Sequence, residues 1–414
     1  MAKARSDSAR CVVVGGGPAG MMLGLLLARA GIDVVVLEKH ADFLRDFRGD
    51  TVHASTLTLL DELGLGEQFA QLPHQLEKRV EIVFDEGSLA QDFDRLPGRH
   101  QHIALVPQWD FLGLLADAGR ESPHFDLVMS AEVEELIDQS GTVTGVRYLD
   151  RDTGERHDLT ADLVVGCDGR HSKVRSALGM PLKSIGAPFD CLYVRLPRDA
   201  SDQPNSIVRF SAIGGLVLIN RGDYWQAGIL IPKGAARAAL ADDAGQLRRT
   251  ITELAPFLAD AAAELDASSV ATLEVKLERL RRWWAPGALC IGDAAHAMSP
   301  IAGVGINLAI QDAVATARML APALRGGTLT TRDLRAVQKR RTLPTMVTQA
   351  LQQSAQRHFI SASLSGNPEP LRMPLLMRAI NRLPVFSGLF GRLVAIGLRP
   401  EALAASLIRN GAAR

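Results

Sequence analysis

The stretch Val12-Val13-Val14-Gly15-Gly16-Gly17-Pro18-Ala19-Gly20 joins an apolar, β-branched run to a helix-forming run that ends near Ala30. Its glycines follow the spacing Gly-x-Gly-x-x-Gly. Between a strand and a helix, the first glycine permits a tight turn, the second lets a pyrophosphate approach the backbone, and the third lets the helix pack on the sheet. The pattern predicts a nucleotide-binding β-α-β unit, in which Pro18 and Ala19 begin a helix whose free N–H groups face phosphates.

A second predicted strand, residues 33–38, completes this unit after a stop signal at Gly31. Glu38 ends that strand, where its carboxylate can accept hydrogen bonds from both hydroxyls of an adenosine ribose. A carboxylate there repels a 2′-phosphate, so the bound adenosine is not expected to be that of NADP. We assign Glu38 and the following Lys39 to the site, which leaves NAD or FAD as the ligand.

The composition sets broad limits on function. The 414 residues suggest two or three domains, and 46 basic residues balance 46 acidic ones, so no net charge favours nucleic acid or an anionic membrane. The expected partner is a small molecule. Four separated cysteines, without a Cys-x-x-Cys pair, indicate reduced core residues of a cytoplasmic protein. The uncharged run from Cys11 to Ala28 superficially resembles a signal peptide or membrane span, but its glycines and Pro18 argue against both.

A third segment distinguishes between the two dinucleotides. Gly292-Asp293 is predicted at a strand end and is followed by Pro300-Ile301-Ala302-Gly303-Val304-Gly305-Ile306-Asn307. Asp293 can accept a hydrogen bond from a ribityl hydroxyl, and the glycines let backbone N–H groups approach a ring. The positive end of the following helix would stabilise a reduced, anionic flavin. The pattern favours FAD, whereas the simpler alternative is a β-α turn with an N-capping aspartate.

Between these segments the pattern is mainly that of strands. We predict further strands from 126 to 167, and then alternating strands at 190–196, 206–210, 215–220, 225–231 and 271–280 with one helix near 245–255. A helix is predicted from Gly303 to Leu320. The expected fold class is α/β, with a discontinuous Rossmann-like FAD-binding domain, an inserted and mainly antiparallel β-sheet substrate domain, and a helical C-terminal region. The predicted boundaries are 10–182 and 281–330 for the FAD-binding domain, 183–280 for the substrate domain, and 331–414 for the C-terminal region.

With Cys167-Asp168-Gly169-Arg170 between them, these segments make the chain resemble the single-component (class A) FAD-dependent aromatic hydroxylase/monooxygenase family, the group similar to para-hydroxybenzoate hydroxylase. The resemblance covers about residues 10–360. It implies that Asp168 and Gly169 contact FAD and take part in nicotinamide cofactor use, with Ser172 and Arg175 downstream. It also implies that the ribityl chain and flavin ring are bound by a third set of residues, which comprises Gly292, Asp293, His296, Pro300, Gly303 and Asn307.

The family pattern adds two weaker assignments and two departures. Arg48 lies where the family places a cofactor-contacting arginine, and Gln108 lies where it places a helix-starting glutamine near the pyrophosphate and ribityl chain. Either residue is alternatively a solvated surface residue. Arg170 stands where alanine is common, and Val304 stands where glutamine is common. We therefore assign Val304, Gly305 and Ile306 to the site through their backbone groups.

Several motifs that are typical of other flavoprotein classes are absent from the sequence. A second Gly-x-Gly-x-x-Gly is lacking, which argues against disulfide reductases and Baeyer–Villiger oxygenases. The adjacent Trp283 and Trp284 do not form the spaced motif of flavin halogenases. No metal site is predicted, because His296 has no partner ligands at metal-ligand spacing.

Four further features leave alternatives open. His53 either faces the flavin or satisfies a buried hydrogen bond, and we favour the second. Tyr193 and Tyr224 either orient a phenolic substrate or belong to the sheet core. The arginine-bearing apolar segments 371–382 and 389–399 either lie on a membrane, close over the site or form a dimer face. We favour a protein without membrane contact that is a monomer or a homodimer.

The resulting prediction is an FAD-dependent monooxygenase that uses NADH or NADPH and O₂ to hydroxylate an aromatic or phenolic small molecule. An oxidase, a dehydrogenase, a non-oxygenating flavoenzyme and a binding-only protein are the alternatives on the same fold. The cofactor carries the difficult chemistry, which accounts for the absence of a recognisable acid–base triad in the sequence. The sequence identifies neither a catalytic residue nor the substrate.

Overall fold

The computed structural model describes residues 7–44, 51–367, 369–373 and 384–408. Its strands are β1 Ser8–Val14, β2 Val34–Leu37, β3 Thr51–Val52, β4 Gln75–Glu77, β5 Arg79–Val83, β6 Ser88–Asp92, β7 Ile103–Leu105, β8 Phe125–Val128, β9 Ala131–Gln139, β10 Thr142–Asp150, β11 Arg156–Gly166, β12 Leu182–Ser184, β13 Phe189–Pro197, β14 Ile207–Ser211, β15 Gly214–Asn220, β16 Tyr224–Pro232, β17 Ala271–Leu273, β18 Glu278–Leu280, β19 Trp284–Ala285 and β20 Ala288–Cys290. Its α-helices are α1 Pro18–Arg29, α2 Ala54–Glu62, α3 Gly66–Ala70, α4 Gln108–Arg120, α5 Lys173–Ala177, α6 Ala236–Ala239, α7 Gly245–Leu254, α8 Ala259–Ala263, α9 Gly305–Gly326, α10 Thr331–Ala355, α11 Ser361–Ser363, α12 Pro384–Ala395 and α13 Ala405–Ile408.

An eight-stranded sheet carries the three predicted motifs. Its order is β19-β20-β11-β1-β2-β8, and β10 and β9 extend it from β11. Strands β8, β2, β1, β11 and β20 are mutually parallel and are buried between helices, which explains their continuous valine-rich sequences. In register, Val14 pairs with Gly166, and Gly166 pairs with Cys290. The three predicted motifs therefore leave the sheet side by side, at the carboxyl ends of β1, β11 and β20.

A seven-stranded sheet lies beyond the first, in the order β17-β13-β16-β15-β14-β5-β6. All its pairings are antiparallel except β14 with β5. One face, which includes Leu192, Leu216 and Trp225, packs against Leu247 and Ile251 of α7. Strands β5 and β6 come from residues 79–92, so this sheet combines the insert with chain from the N-terminal half.

The structure corrects two predicted elements. The strand predicted from 271 to 280 is two strands, because β17 pairs with β13 whereas β18 pairs with β12. Between them the backbone N–H of Val275 donates to the Asp190 carboxylate, and its carbonyl accepts from the Lys233 ammonium, so side chains replace strand partners there. The helix predicted from Gly303 begins at Gly305, because Ala302 and Gly303 have φ values of 62° and 60°.

From Gly305 onward the described residues are mainly helical. Helix α10 starts with a capping box between Thr330 and Asp333 and continues into a π-helical turn, Gln356–Ile360. Of the predicted arginine-bearing segments, residues 374–382 lie outside the described residues, while Ala395 of α12 is buried in a cluster with Ala54 and Phe93. No helix in the described ranges has the length and apolarity that crossing a membrane requires.

The cysteines confirm the prediction of reduced core residues. All four are free and buried. Burial raises the pKa of the Cys11, Cys191 and Cys290 thiols well above their ordinary value, and burial followed by the nearby Asp168 carboxylate does the same for Cys167. Such thiols are held protonated and are poor nucleophiles.

Candidate functional site

The glycine-rich turn is shaped by close backbone approaches. Gly15 has φ +104°, and a Cβ there would lie 2.6 Å from the Cys167 carbonyl oxygen. A Cβ on Gly20 would lie 1.9 Å from the Gly15 carbonyl oxygen. These two glycines are therefore required by the protein's own backbone, one for contact with the second motif and the other for packing of α1.

Gly17 differs from Gly15, Gly16 and Gly20 because a Cβ there would meet no atom of a described, non-adjacent residue within 4 Å. It precedes α1 in an extended conformation, with φ −74° and ψ −177°, that any residue can adopt. The space beside it is open at the positive end of α1, where an anion would be stabilised. Because Gly17 has no side chain, the space beside it is left free for a ligand.

The side chain of Glu38 contacts the glycine-rich turn. Its Oε2 accepts the Gly16 backbone N–H at 2.8 Å, and its Oε1 accepts the His40 backbone N–H at 3.1 Å. The side chain is buried, so its charge is held close to the start of α1. The carboxylate predicted to bind ribose is thus oriented by the glycine-rich turn itself.

The second motif approaches the first through Asp168. The Oδ2 atom of Asp168 accepts backbone N–H groups from Lys173 at 2.6 Å and Val174 at 3.2 Å, which ties the motif to the start of α5. Its Oδ1 is buried and has no hydrogen-bond partner in the part of the chain that the structure describes. Burial raises the pKa of Asp168 even though these hydrogen bonds act in the opposite direction. An unsatisfied carboxylate oxygen beside Gly15 is a polar group for which the described protein supplies no donor.

The third motif contacts both of the others. A Cβ on Gly292, which has φ +58°, would lie 3.2 Å from the Ala19 Cβ of the first motif. Arg170 of the second motif donates from Nε to Asp293 Oδ2 at 3.1 Å. Arg175 reinforces this contact by donating to the carbonyl oxygens of Ala294 at 3.1 Å and Arg170 at 2.7 Å. All three motifs therefore meet, although they are far apart in the sequence.

The loop that precedes α9 is tied to the chain around α2. Asn307 Oδ1 accepts the His53 backbone N–H at 3.0 Å and the Thr56 hydroxyl at 2.7 Å, and its Nδ2 donates to the Thr51 carbonyl at 3.2 Å. A Cβ on Gly303 would lie 2.7 Å from the Thr51 hydroxyl oxygen. Asn307, predicted as a cofactor residue, thus uses its side chain to hold the loop in place.

His53 is buried between this loop and helix α12. Its Nδ1 lies 2.8 Å from the Val394 carbonyl oxygen, and its Nε2 has no hydrogen-bond partner among the described residues. Burial lowers its pKa to about 4, against the opposing effect of the Val394 and Ala302 carbonyls. The ring is therefore neutral at physiological pH. The interpretation that we favoured from the sequence, a buried hydrogen-bonded histidine, matches this environment.

We expect His53→Asn to flatten the pH dependence of stability in acid. The pKa of His53 is lower in the folded protein, at about 4, than its ordinary value of 6.5, so the unfolded chain takes up the proton first. Stability is therefore present above pH 6.5 and is lost as the pH falls toward 4, by about 3 kcal/mol. Urea unfolding of both proteins across this range measures the difference. Equal losses in the wild type and the variant would contradict the assignment.

The other predicted site residues vary in their placement. Lys39 is exposed, and Gln108 is half-buried at the first position of α4; within the described ranges neither side chain has a hydrogen bond to the three motifs. Arg48 lies outside the described residues. Pro300, Val304, Gly305 and Ile306 form the loop and the start of α9.

The two tyrosines lie apart on the seven-stranded sheet. Tyr193 is half-buried and packs in a cluster with Ile301 of the loop and Ile360 of the π-helical turn. The Tyr224 ring is covered by the Arg195 guanidinium at 3.9 Å. Only Tyr193 is thus placed beside the loop.

Sequence reasoning missed a buried ionic network behind the third motif. Asp312 Oδ2 accepts the Gly292 N–H at 3.1 Å and lies 2.5 Å from His296 Nε2, while its Oδ1 accepts from Arg341 Nε at 2.8 Å. Burial acts to raise the pKa of Asp312, but the neighbouring His296 and Arg341 outweigh it and hold the pKa below its ordinary value. Arg341 also donates to Glu401. The detectable signal was an aspartate on the apolar face of α9.

His296 therefore belongs to this buried ionic network, whereas the family pattern implies contact with the cofactor. It is 1% exposed, packs against Trp283 with ring centroids 5.0 Å apart, and bonds Asp312. Among the described residues, no group of three His, Cys, Asp or Glu side chains has the arrangement of a metal site.

The combined geometry fits a dinucleotide. It offers an anion-binding helix end with open space at Gly17, a buried carboxylate at Glu38, an unsatisfied oxygen on Asp168, and a glycine-containing loop before α9. These features follow one another around the carboxyl ends of three parallel strands, which is where α/β sheets bind such ligands. The site can bind and orient a cofactor, and its described residues include no nucleophile–base pair.

Comparison with known proteins also supports a dinucleotide-binding site. Residues 8–351 match a family profile described as an FAD binding domain. The 6-methylpretetramide 4-monooxygenase of Streptomyces rimosus is 31% identical to this chain over 411 residues, which make up 96% of this chain and 95% of that protein.

Two solved structures share the fold. The anhydrotetracycline hydroxylase OxyS from Streptomyces rimosus superposes with a TM-score of 0.74 at 23% identity, covering 95% of this chain and 77% of that one. The Diels-Alderase PyrE3 of pyrroindomycin biosynthesis superposes with a TM-score of 0.73 at 22% identity, covering 94% of this chain and 80% of that one. At these identities the structures support the fold and carry no argument about the reaction.

Proposed function

The chain belongs to the FAD binding domain family, whose profile matches residues 8–351, and we propose on that premise that it is an FAD-dependent monooxygenase that hydroxylates an aromatic small molecule. The observation that carries the proposal is the meeting of the three separated motifs at one sheet edge. Gly15 approaches Cys167, Gly292 approaches Ala19, and Arg170 bonds Asp293. Gly17 also faces open space at the start of α1, which leaves room for a pyrophosphate there.

We assign the adenosine half of FAD to the first motif. The backbone around Gly17 and the start of α1 bind the pyrophosphate, and Glu38 accepts the ribose hydroxyls. Asp168 and Gly169 lie beside the pyrophosphate, where the unsatisfied Asp168 Oδ1 accepts a hydrogen bond from the cofactor or a bound water.

The flavin half belongs to the third motif. Asp293 accepts a hydrogen bond from the ribityl chain, with Arg170 fixing its carboxylate. The backbone of the loop from Pro300 to Gly305 supports the ring, and the start of α9 offers a positive field to a reduced, negatively charged ring. Bound FAD supplies the redox and oxygen chemistry, with NADH or NADPH as electron donor.

The protein's own contribution is to position the cofactor and to enclose the substrate. Tyr193 and Ile301 pack in one cluster, which brings the seven-stranded sheet against the loop. An aromatic substrate placed between that sheet and the loop would be shielded from water, which limits wasteful release of peroxide. The likeness to 6-methylpretetramide 4-monooxygenase favours 6-methylpretetramide or a related aromatic compound as the substrate.

We expect Asp293→Ala to weaken FAD affinity by roughly ten- to a hundredfold, because one hydrogen bond to a charged group is lost. The fold should remain, since Asp293 is half-buried and, among the described residues, its carboxylate bonds one side chain, that of Arg170. Fluorescence titration of the apoprotein with FAD measures the affinity, and far-UV circular dichroism measures the fold.

Arg170→Ala is the matched control for this change. It removes the same ion pair but keeps the carboxylate, so it should weaken FAD binding less than Asp293→Ala does. Unchanged FAD affinity in Asp293→Ala would remove Asp293 from the site. Equal losses in both variants would show that Asp293 acts only through Arg170.

The proposed function is tested by reduction and turnover. NADH and NADPH are added to the FAD-loaded protein without oxygen, and then oxygen is admitted with 6-methylpretetramide, anhydrotetracycline or simple phenols. We expect flavin reduction that substrate accelerates, followed by a hydroxylated product. Peroxide formation without a hydroxylated product would indicate an oxidase, and failure to bind FAD would indicate a binding-only protein.

The domain roles and cellular setting are part of the same proposal. Residues 10–182 and 281–330 would form the FAD-binding domain, 183–280 with strands β5 and β6 would form the substrate domain, and 331–414 would form the helical C-terminal region. A cytoplasmic monomer or homodimer without nucleic-acid or membrane contact remains our expectation.

A further inference from the structure

Helix α10 presents a buried glutamine to the loop that precedes α9. Gln352 Nε2 donates to the carbonyl oxygens of Ser299 at 2.8 Å and Ile301 at 3.0 Å, and its Oε1 accepts the Ser299 backbone N–H at 3.1 Å. The side chain is 4% exposed. One amide thus satisfies three backbone groups of a single irregular segment, using both donors.

Gln349 repeats this arrangement one turn earlier on the same face of α10. Its Nε2 donates to the carbonyl oxygens of Glu278 at 2.8 Å and Ala297 at 3.3 Å, and its Oε1 accepts from Arg279 at 2.9 Å. The two glutamines are three residues apart, so they lie side by side on the helix. Together they hold the segment from Ala297 to Ile301 against α10.

The held segment leads directly into a strained turn. Ala302 has φ +62°, a left-handed conformation that costs roughly 1 kcal/mol or more for a residue with a Cβ. Gly303 follows with φ +60°. Such a turn persists only when contacts on both sides enforce it. Asn307 supplies those on the α2 side, and Gln352 supplies those on the α10 side.

We propose that Gln352 is a positioning residue for the flavin ring: by holding Ser299 and Ile301, it sets the backbone of the Ala302–Gly303 turn at the ring-binding position. This inference rests on the proposed function, because it takes the loop as the ring's support. Gln352 acts through the loop and need not touch the cofactor. Its amide is specifically required, since only an amide can both donate to two carbonyls and accept an N–H at this site.

The test compares Gln352→Glu with Gln353→Glu in the full chain. Glutamate keeps the shape of Gln352 but cannot donate when ionised, so it sets a carboxylate oxygen against two carbonyl oxygens. Gln353 is half-buried on the next position of α10, and its replacement adds the same charge without disturbing the loop. The measurements are the FAD dissociation constant, the visible spectrum and midpoint reduction potential of bound FAD, and hydrogen exchange at the Ser299 amide.

We expect Gln352→Glu to raise the FAD dissociation constant at least about tenfold, to change the flavin spectrum and potential, and to speed exchange at Ser299. Gln353→Glu should match the wild type in each measurement. If Gln352→Glu fails to fold, Gln352→Met decides the question, because it keeps the side-chain length without a charge and also lacks all three hydrogen bonds.

Three results would overturn the inference. One is an FAD affinity, spectrum and potential in the Gln352 variants equal to those of the wild type. Another is the same change in Gln353→Glu, which would indicate a nonspecific charge effect. The third is unfolding of both Gln352 variants, which would make Gln352 a residue of overall stability. Failure of the wild type to bind FAD is distinguishable from these, because it rejects the proposed function and the inference with it.

Discussion

We expect Gly20→Ala to destabilise the fold strongly and Gly17→Ala to leave the fold intact while FAD affinity falls at least about tenfold. A Cβ on Gly20 would lie 1.9 Å from the Gly15 carbonyl oxygen, and α1 cannot move away because Met21, Met22 and Leu23 are fully buried. Overpacking of this severity should cost at least about 3 kcal/mol. At Gly17 the added methyl group meets no protein atom and instead occupies the space that we assign to the pyrophosphate.

These two substitutions add the same methyl group three residues apart, so each is the other's control. Thermal unfolding measures the fold, and titration of the apoprotein with FAD measures binding. If Gly17→Ala binds FAD as tightly as the wild type does, the open space is not the pyrophosphate position. If Gly20→Ala is as stable as the wild type, the close approach described for α1 is wrong.

The second large effect is expected at Arg341. This side chain is 1% exposed and joins two carboxylates, donating to Asp312 at 2.8 Å and to Glu401 at 3.3 Å. Arg341→Met keeps the apolar stem but leaves buried negative charge without its partner. Breaking a buried ion pair from one side typically costs about 3–5 kcal/mol. We expect a loss of that size in the free energy of unfolding.

Arg335→Met is the matched control, because Arg335 lies exposed on the same helix. Its replacement should change stability by about 0.5 kcal/mol or less. Urea unfolding of both variants gives the comparison. A loss below about 1 kcal/mol in Arg341→Met would mean that His296, Arg318 and Arg340 already compensate the two carboxylates.

The parts of the fold that could be predicted are those that short stretches of sequence determine. The turn at Gly15, the parallel strands with continuous valines, and the alternating strands at 190–196 and 225–231 are each set by local pattern. The position of the three motifs also followed, because the carboxyl ends of parallel strands meet at one edge. The third motif favoured FAD as the cofactor, and the family-level resemblance supported that choice.

The remaining features depend on contacts between distant residues. Nothing near Arg170 indicates that it pairs with Asp293, and the recruitment of β5 and β6 by the second sheet depends on tertiary packing. The helix start was misplaced because alanine rarely adopts the left-handed conformation that Ala302 has. Gln352 lies among several glutamines of α10, and its role depends on contacts with Ser299 and Ile301, which are distant in the sequence.

The central claim is that the three motifs form one FAD site for a hydroxylation reaction. Its most direct test is turnover of the FAD-loaded protein with NAD(P)H, an aromatic substrate and isotopically labelled O₂. We predict a hydroxylated product that carries one labelled oxygen atom, with the wild-type yield greatly reduced in Gly17→Ala. Consumption of NAD(P)H with labelled peroxide as the only oxygen product, or a product whose new oxygen comes from water, would contradict it.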